Sequence, residues 1–159
     1  MTKLIVYALD RLAEPDPSFH KIAELAKREW KTAIEYKQID VRNVQGLNDI
    51  ISEIADKEGR LDGLIAAAGI QQETPALTYT AEDSNHMFEI NITGVFMTAQ
   101  ACAKQMIRFG RGGSIVLIAS MSGTVANKVR TYPLSPFPFH QKSCFWLWNE
   151  VKQKNLWFC

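Results

Sequence analysis

Several short groups of residues in this chain are of types that do chemistry. Ser120 ends the apolar run Ser114-Ile115-Val116-Leu117-Ile118-Ala119, fed by Gly112-Gly113, and is followed by Met121-Ser122-Gly123. Its hydroxyl therefore stands at a strand end, with a proton to donate to a substrate oxygen. Asp10-Arg11 and Asp40-Val41 each close an earlier apolar run and put a carboxylate acceptor there. Ala67-Ala68-Gly69 closes another with residues small enough for a ligand to lie against the backbone. Asn91 interrupts apolar residues at helical spacing, where its propensity is poor, so it is expected either to work or to kink the helix. In open α/β sheets ligands bind just beyond the carboxyl ends of the strands, where all of these groups but Asn91 fall.

The elements that must position them are legible in outline. Residues 4–9, 32–39 and 61–69, the last running into a small-residue loop, read as strands, and the run after Gly112-Gly113 up to Ser120 reads as a strand buried on both faces. Pro15 and Pro17 break the chain after the first run, and Ser18 is placed to cap a helix carrying Phe19, Ile22, Ala23, Ala26 and Trp30. Asn43 is placed to cap a second, with Val44, Leu47, Ile50, Ile51 and Ile54 as its apolar face and Gly59 as its end. Thr80 with Asp83 resembles a capping box with the shorter acid, opening one long helix through Phe88, Ile92, Val95, Phe96, Ala99, Ala103 and Met106 to Arg108. The order β-α-β-α-β-α-β predicts a helix-covered parallel sheet with right-handed crossovers. From Val129 the pattern stops: Pro133, Pro136 and Pro138 forbid a continuous helix, while Trp146, Trp148 and Trp157 crowd together. A domain over 1–128 and an irregular tail over 129–159 are expected.

The 159 residues are 47% hydrophobic and 22% charged, ordinary for one soluble domain with a sizeable core. A net charge of +1 gives no electrostatic case for nucleic acid or an anionic membrane. Cys102, Cys144 and Cys159 fall in no metal spacing, and their odd count argues against a disulfide framework. A reduced cytoplasmic protein without a metal is expected. No run reaches the roughly 18 apolar residues of a membrane span, and no signal-peptide pattern opens the chain. Trp146, Trp148, Lys152, Lys154 and Trp157 are of types that sit at membrane interfaces, a weaker alternative for the tail. No nucleophile elbow surrounds Ser120, which disfavours a hydrolase using His140.

Asp40-Val41, Ala67-Ala68-Gly69, Asn91-Ile92-Thr93-Gly94 and Ser120-Met121-Ser122-Gly123 together resemble the short-chain dehydrogenase/reductase family in order and spacing, over residues 4–128. The wording of Val6-Tyr7-Ala8-Leu9-Asp10-Arg11 and of 63–72 is similar to polyol and sugar-ketone members such as arabinitol dehydrogenases. The resemblance implies an α/β fold, a partial Rossmann-like doubly wound parallel sheet lacking its first βα unit and its C-terminal strands. It implies NAD or NADP as coenzyme and a small polyol or sugar ketone as substrate. Asp10 would receive the adenosine ribose and favour NAD; Arg11 could instead pair with a 2′-phosphate, so the choice stays open. Asp40 and Val41 would meet the adenine edge, and Ala67-Ala68-Gly69 would let the coenzyme lie close, although the family often has asparagine where Ala67 stands. Asn91 would help hold a proton-relay water near the catalytic lysine, and Ser120 would bind the substrate oxygen. The helix over 80–108 would pack against its symmetry mate in a homo-oligomer.

Catalysis in that family also needs a tyrosine with a lysine four positions later, on one helix face, so that the ammonium lowers the phenol's pKa. Here Tyr132 is the only tyrosine after Ser120; Pro133 follows it and Pro136 takes the lysine's place. Lys128 and Lys142 lack the spacing. The glycine-rich turn that cradles a pyrophosphate is missing too, since only Met1-Thr2-Lys3 precede the first run. By family topology the lost strand lies between the runs beginning at Leu4 and Leu61, and residues 114–119 are left as an apolar sheet edge. A chain truncated at both ends and inactive is expected, the alternative being a non-catalytic fragment that binds full-length subunits through 80–108. Val129-Arg130 can be encoded as a splice donor, so 129–159 is expected to be read from an unspliced intron; a transcript joining Lys128 to a Tyr-x-x-x-Lys segment is what that reading requires.

Overall fold

The computed structural model describes residues 4–120 and the backbone of 149–150. In order the chain forms β1 (Ile5–Asp10), α1 (Pro17–Trp30), β2 (Ala33–Gln38), α2 (Val44–Glu58), β3 (Gly63–Ala66), α3 (Ala81–Phe88), a π-helical turn (Glu89–Gly94), α4 (Val95–Arg108), β4 (Ser114–Leu117) and β5 (Asn149–Glu150). The expected α/β alternation is present, and its strand pairs are parallel: Ile5 lies opposite Ala33, and Gly63 opposite Ser114.

The strands form two sheets, β1–β2 and β3–β4–β5. β1 and β3 do not pair, in keeping with the expectation that a strand between them is lacking. The helix layer holds the two sheets together. Leu47 and Ile51 of α2 pack with Ala99, Cys102, Ala103 and Met106 of α4 and Ile115 of β4. Leu9, Ile39 and Val41 reach this core from the first sheet, and Leu64 and Leu117 from the second. Among the described residues Leu47 and Met106 are the largest fully buried side chains, and burying each is worth about 1.5–3 kcal/mol.

Asn43 caps α2 as expected, accepting the Gly46 N–H at 2.9 Å, and Gly59 ends it at φ 67°. Other expectations need correction. Asp16 rather than Ser18 caps α1, because Pro17 fits the first helical position and the Asp16 carboxylate accepts the Ser18 N–H at 2.8 Å. Trp30 and Ile22 of α1 are exposed, and only Ala26 is buried. Thr80 Oγ1 accepts the Asp83 N–H at 3.0 Å but donates to Asp83 Oδ2 at 2.6 Å, so the short acid does not close the reciprocal box. The long helix is three segments, with the π turn in the middle. Of the 114–119 edge, Ser114 and Ile115 are paired antiparallel by β5.

Gly113 allows the chain to enter β4 under α4, since a Cβ there would sit 2.5 Å from Met106 Sδ and 2.9 Å from Asp62 O. At Gly63 the nearest atom would be Ser114 O at an ordinary 3.5 Å. Gly113→Ala is expected to cost about 1–3 kcal/mol, read from the urea midpoint, with Gly63→Ala changing it by less than about 1 kcal/mol.

Candidate functional site

The ends of β1 and β2 are fixed by bonds that run past the strands. Ile39 N–H donates to Asp10 O at 2.8 Å, Gln38 Nε2 to Arg11 O at 3.0 Å, and Tyr36 Oη to Leu12 O at 2.7 Å. These set the turn after β1. Asp10 Oδ1 accepts the Leu12 N–H at 3.0 Å within that turn, and the residue is exposed. Asp40 is held more tightly. Its carboxylate accepts the Arg42 N–H at 2.9 Å, Arg42 Nε at 3.1 Å and Nη2 at 2.7 Å. The Arg42 hydrogen bonds, helped by the charges of Arg42 and Arg11, hold its pKa down to about 2.

β3 and β4 end side by side, the ladder being extended by Ile118 N–H to Ala66 O at 2.9 Å. Ala67-Ala68-Gly69 and Ala119-Ser120 therefore leave adjacent strands at the same end, and Ser120 is exposed. The loop after β3 is pinned from above. Asn91 Oδ1 accepts the Ile70 N–H at 2.8 Å, and Asn91 Nδ2 donates to Ile70 O at 2.9 Å and to Met87 Sδ at 3.0 Å. Both amide hydrogens are thus committed, so the observed work of this side chain is to hold the loop. A Cβ at Gly69 would lie 3.4 Å from Asn91 Oδ1, tight against the same clamp.

The π turn joins this end to the other sheet. A Cβ at Gly94 would meet Val41 Cγ2 at 2.6 Å, so glycine lets the turn press on the residue after Asp40. Thr98 Oγ1 donates to Gly94 O at 2.7 Å, a side-chain bond back to the turn four residues earlier. Asp40-Val41 and Ala67-Ala68-Gly69 are thereby brought to one segment, Glu89–Gly94. Sequence reasoning named Asn91 and Val41 but missed Arg42, Ile70 and Gly94. Gly94 stood in the quoted motif, and Arg42 two residues past Asp40 was a readable charge pair.

Tyr132, Ser122, Gly123, Lys128, His140, Lys142, Cys144 and Cys159 lie outside the described residues. Among the described residues no cluster of His, Cys, Asp and Glu could hold a metal, and no helix is long and apolar enough to cross a membrane. Cys102 is buried between α4 and its neighbours, and burial pushes its thiol up to about 12, which suits packing and not nucleophilic chemistry.

Residues 5–132 match the short chain dehydrogenase family. The NADH-dependent L-xylulose reductase of Ambrosiozyma monospora is 30% identical over 122 residues, 74% of this chain and 44% of that protein. The L-rhamnose 1-dehydrogenase (NAD(P)(+)) of a Sphingomonas species is 31% identical over 93 residues, 58% of this chain and 37% of that protein. Carveol dehydrogenase from Mycobacterium avium, solved in complex with NAD, superposes with a TM-score of 0.64 at 30% identity, covering 80% of this chain and 48% of that one. The chain spans less than half the length of each of these relatives.

Asn91→Ala leaves the half-buried Ile70 N–H and C=O without their partner. A loss of about 1–3 kcal/mol and faster hydrogen exchange at the Ile70 amide are expected, and unchanged exchange would contradict the clamp. Asp40 has a depressed folded pKa, so its contribution is complete above the unfolded value near 4 and is lost as pH falls toward about 2. Urea midpoints between those pH values are expected to fall less steeply in Asp40→Asn than in the unaltered chain.

Proposed function

Because the chain belongs to the short-chain dehydrogenase family, we propose that residues 1–128 are the nucleotide-binding part of an NAD(P)-dependent oxidoreductase acting on a CH–OH or ketone group of a polyol or sugar. The 159 residues by themselves do not turn over in this reading, and 129–159 is a tail of which only 129–132 fall within the family match. A cytoplasmic setting belongs to the same proposal. Its main support is that Val41 and the loop after Ala67-Ala68-Gly69 both meet Glu89–Gly94, while Asp10 ends β1 and Ser120 follows β4, each at the carboxyl end of a parallel strand. The sugar names of the relatives support the substrate class.

The residues fit the nucleoside half of the coenzyme. Asp10 is exposed and uses one carboxylate oxygen within its own turn, which leaves the other for ribose hydroxyls. The exposed Ala67-Ala68-Gly69 offers backbone without bulky side chains, and Arg11 beside Asp10 is available to a 2′-phosphate, so NAD and NADP both remain in the proposal. Among the described residues no glycine-rich turn cradles a pyrophosphate. When bound, the coenzyme would exchange a hydride with the carbinol carbon. Ser120 would donate a hydrogen bond to the substrate oxygen, and Asn91 would act through the loop it holds. Proton transfer is the missing step. Tyr132 has Pro136 four residues on, so no ammonium at that position lowers its pKa.

A second reading rests on the outer side of the long helix, where Phe88, Ile92 and Ile107 are 46%, 42% and 40% exposed. A fragment pairing with a full-length subunit through 80–108 would cover them without any catalysis of its own.

A nicotinamide absorbance assay with a sugar ketone separates these readings. No turnover is expected from the 159 residues. Turnover is expected from a version extended by a glycine-rich βα unit and a Tyr-x-x-x-Lys segment, where Asp10→Ala should raise the coenzyme KM at least about tenfold. Coenzyme consumption by the unextended chain would overturn inactivity. Co-elution with a full-length relative, lost in Phe88→Asp, would establish the second reading.

A further inference from the structure

Between β2 and α2 the chain turns through Asp40, Val41 and Arg42. Asn43 N–H donates to Asp40 O at 2.9 Å and Val44 N–H to Arg42 O at 3.1 Å, which fixes the backbone of that turn. Val41 N–H has no hydrogen-bond partner among the described residues, so a donor stands open beside the Asp40 carboxylate. An open donor next to an open carboxylate would suit a purine edge with a ring-nitrogen acceptor beside an exocyclic amino group.

Here the carboxylate is not open. Asp40 Oδ1 accepts the Arg42 N–H at 2.9 Å and Nε at 3.1 Å, while Oδ2 accepts Nε at 3.1 Å and Nη2 at 2.7 Å. An ionised carboxylate offers about four acceptor positions, and these bonds take up most of that capacity. The guanidinium fork makes charge-assisted bonds, about twice as strong as those from a neutral donor. A base amino group is a neutral donor and cannot displace the fork without a loss. Neighbouring charges reinforce the pair: Glu89, at the start of the π turn, attracts the Arg42 guanidinium, and Arg11 attracts the Asp40 carboxylate. The two side chains are 32% and 42% exposed, so a ligand arriving at this strand end meets the pair directly.

We propose that Arg42 is a specificity-determining residue: by occupying the Asp40 carboxylate, it withholds that acceptor from the amino group of the bound base. This inference rests on the proposed nucleoside-binding role of the strand ends and says how the base is read there. Val41 N–H meets the ring nitrogen, and the amino group adds little to binding. Arg42 acts through Asp40 and not on the ligand, so its effect is on selectivity.

Titration of the full 159-residue chain with adenosine monophosphate and with purine riboside monophosphate, which lacks the amino group, tests this at the Val41 amide resonance. The unaltered chain is expected to bind the two within about twofold of each other. Arg42→Ala frees the carboxylate and is expected to favour the amino nucleotide by at least about fivefold, as one hydrogen bond to a charged group allows. Arg42→Lys keeps the charge without the fork, and a gain of at least about twofold is expected. Adding Asp40→Ala to Arg42→Ala should bring the ratio back to within about twofold. A merely structural role for Arg42 would weaken both nucleotides alike. A ratio unchanged in both Arg42 variants, or a fivefold preference already present in the unaltered chain, would overturn the proposal while leaving the nucleoside reading in place. Binding of neither nucleotide by any of these proteins would overturn that reading and this inference with it.

Discussion

One side-chain amide bonded to both backbone groups of one residue carries much of this structure. Asn91 engages the N–H and the C=O of Ile70 at 2.8 and 2.9 Å, as a neighbouring strand would. Three residues later Gly94 lets the same turn press on Val41, where any side chain would collide. The π turn is therefore a seam between two sheets that share no hydrogen bond. The turn is wider than an α-helical one, its hydrogen bonds spanning five residues instead of four.

Among the described residues no strand lies between β1 and β3, and cohesion falls to the helices. α2 and α4 meet through Leu47 and Ile51 on one side and Ala99, Cys102 and Ala103 on the other, small side chains that let the helices approach. The charges follow the same division. The Asp40–Arg42 pair sits at the entry to α2, while Lys57 near the other end of α2 pairs with Glu35 and lies over the Tyr7 ring at 5.3 Å. The pairs are partly exposed, so they set orientation more than stability.

Where periodicity was strong, the sequence was readable. The strand runs, the Asn43 and Gly59 caps of α2 and the parallel alternation followed from apolar spacing and turn chemistry. Local competition explains the misses. Pro17 prefers the first helical position and moved the cap to Asp16, and an aspartate one methylene short could not close a capping box at Thr80. The π turn was hidden because one extra residue barely disturbs the spacing of Phe88, Ile92 and Val95. The strand-end residues of the site could be named from where apolar runs stop. That Asp40-Val41 and Ala67-Ala68-Gly69 meet at one turn could not, because the meeting depends on the Gly94–Val41 approach between residues far apart in sequence.

The claim that one turn couples the two strand ends is most directly tested by a double-mutant cycle on stability between Val41→Ala and Asn91→Ala. Val41 touches the turn from the first sheet, and Asn91 holds the loop of the second. A rigid seam predicts an interaction energy of at least about 0.5 kcal/mol between the two substitutions. Strict additivity would contradict it and leave the two sheet ends as independent sites.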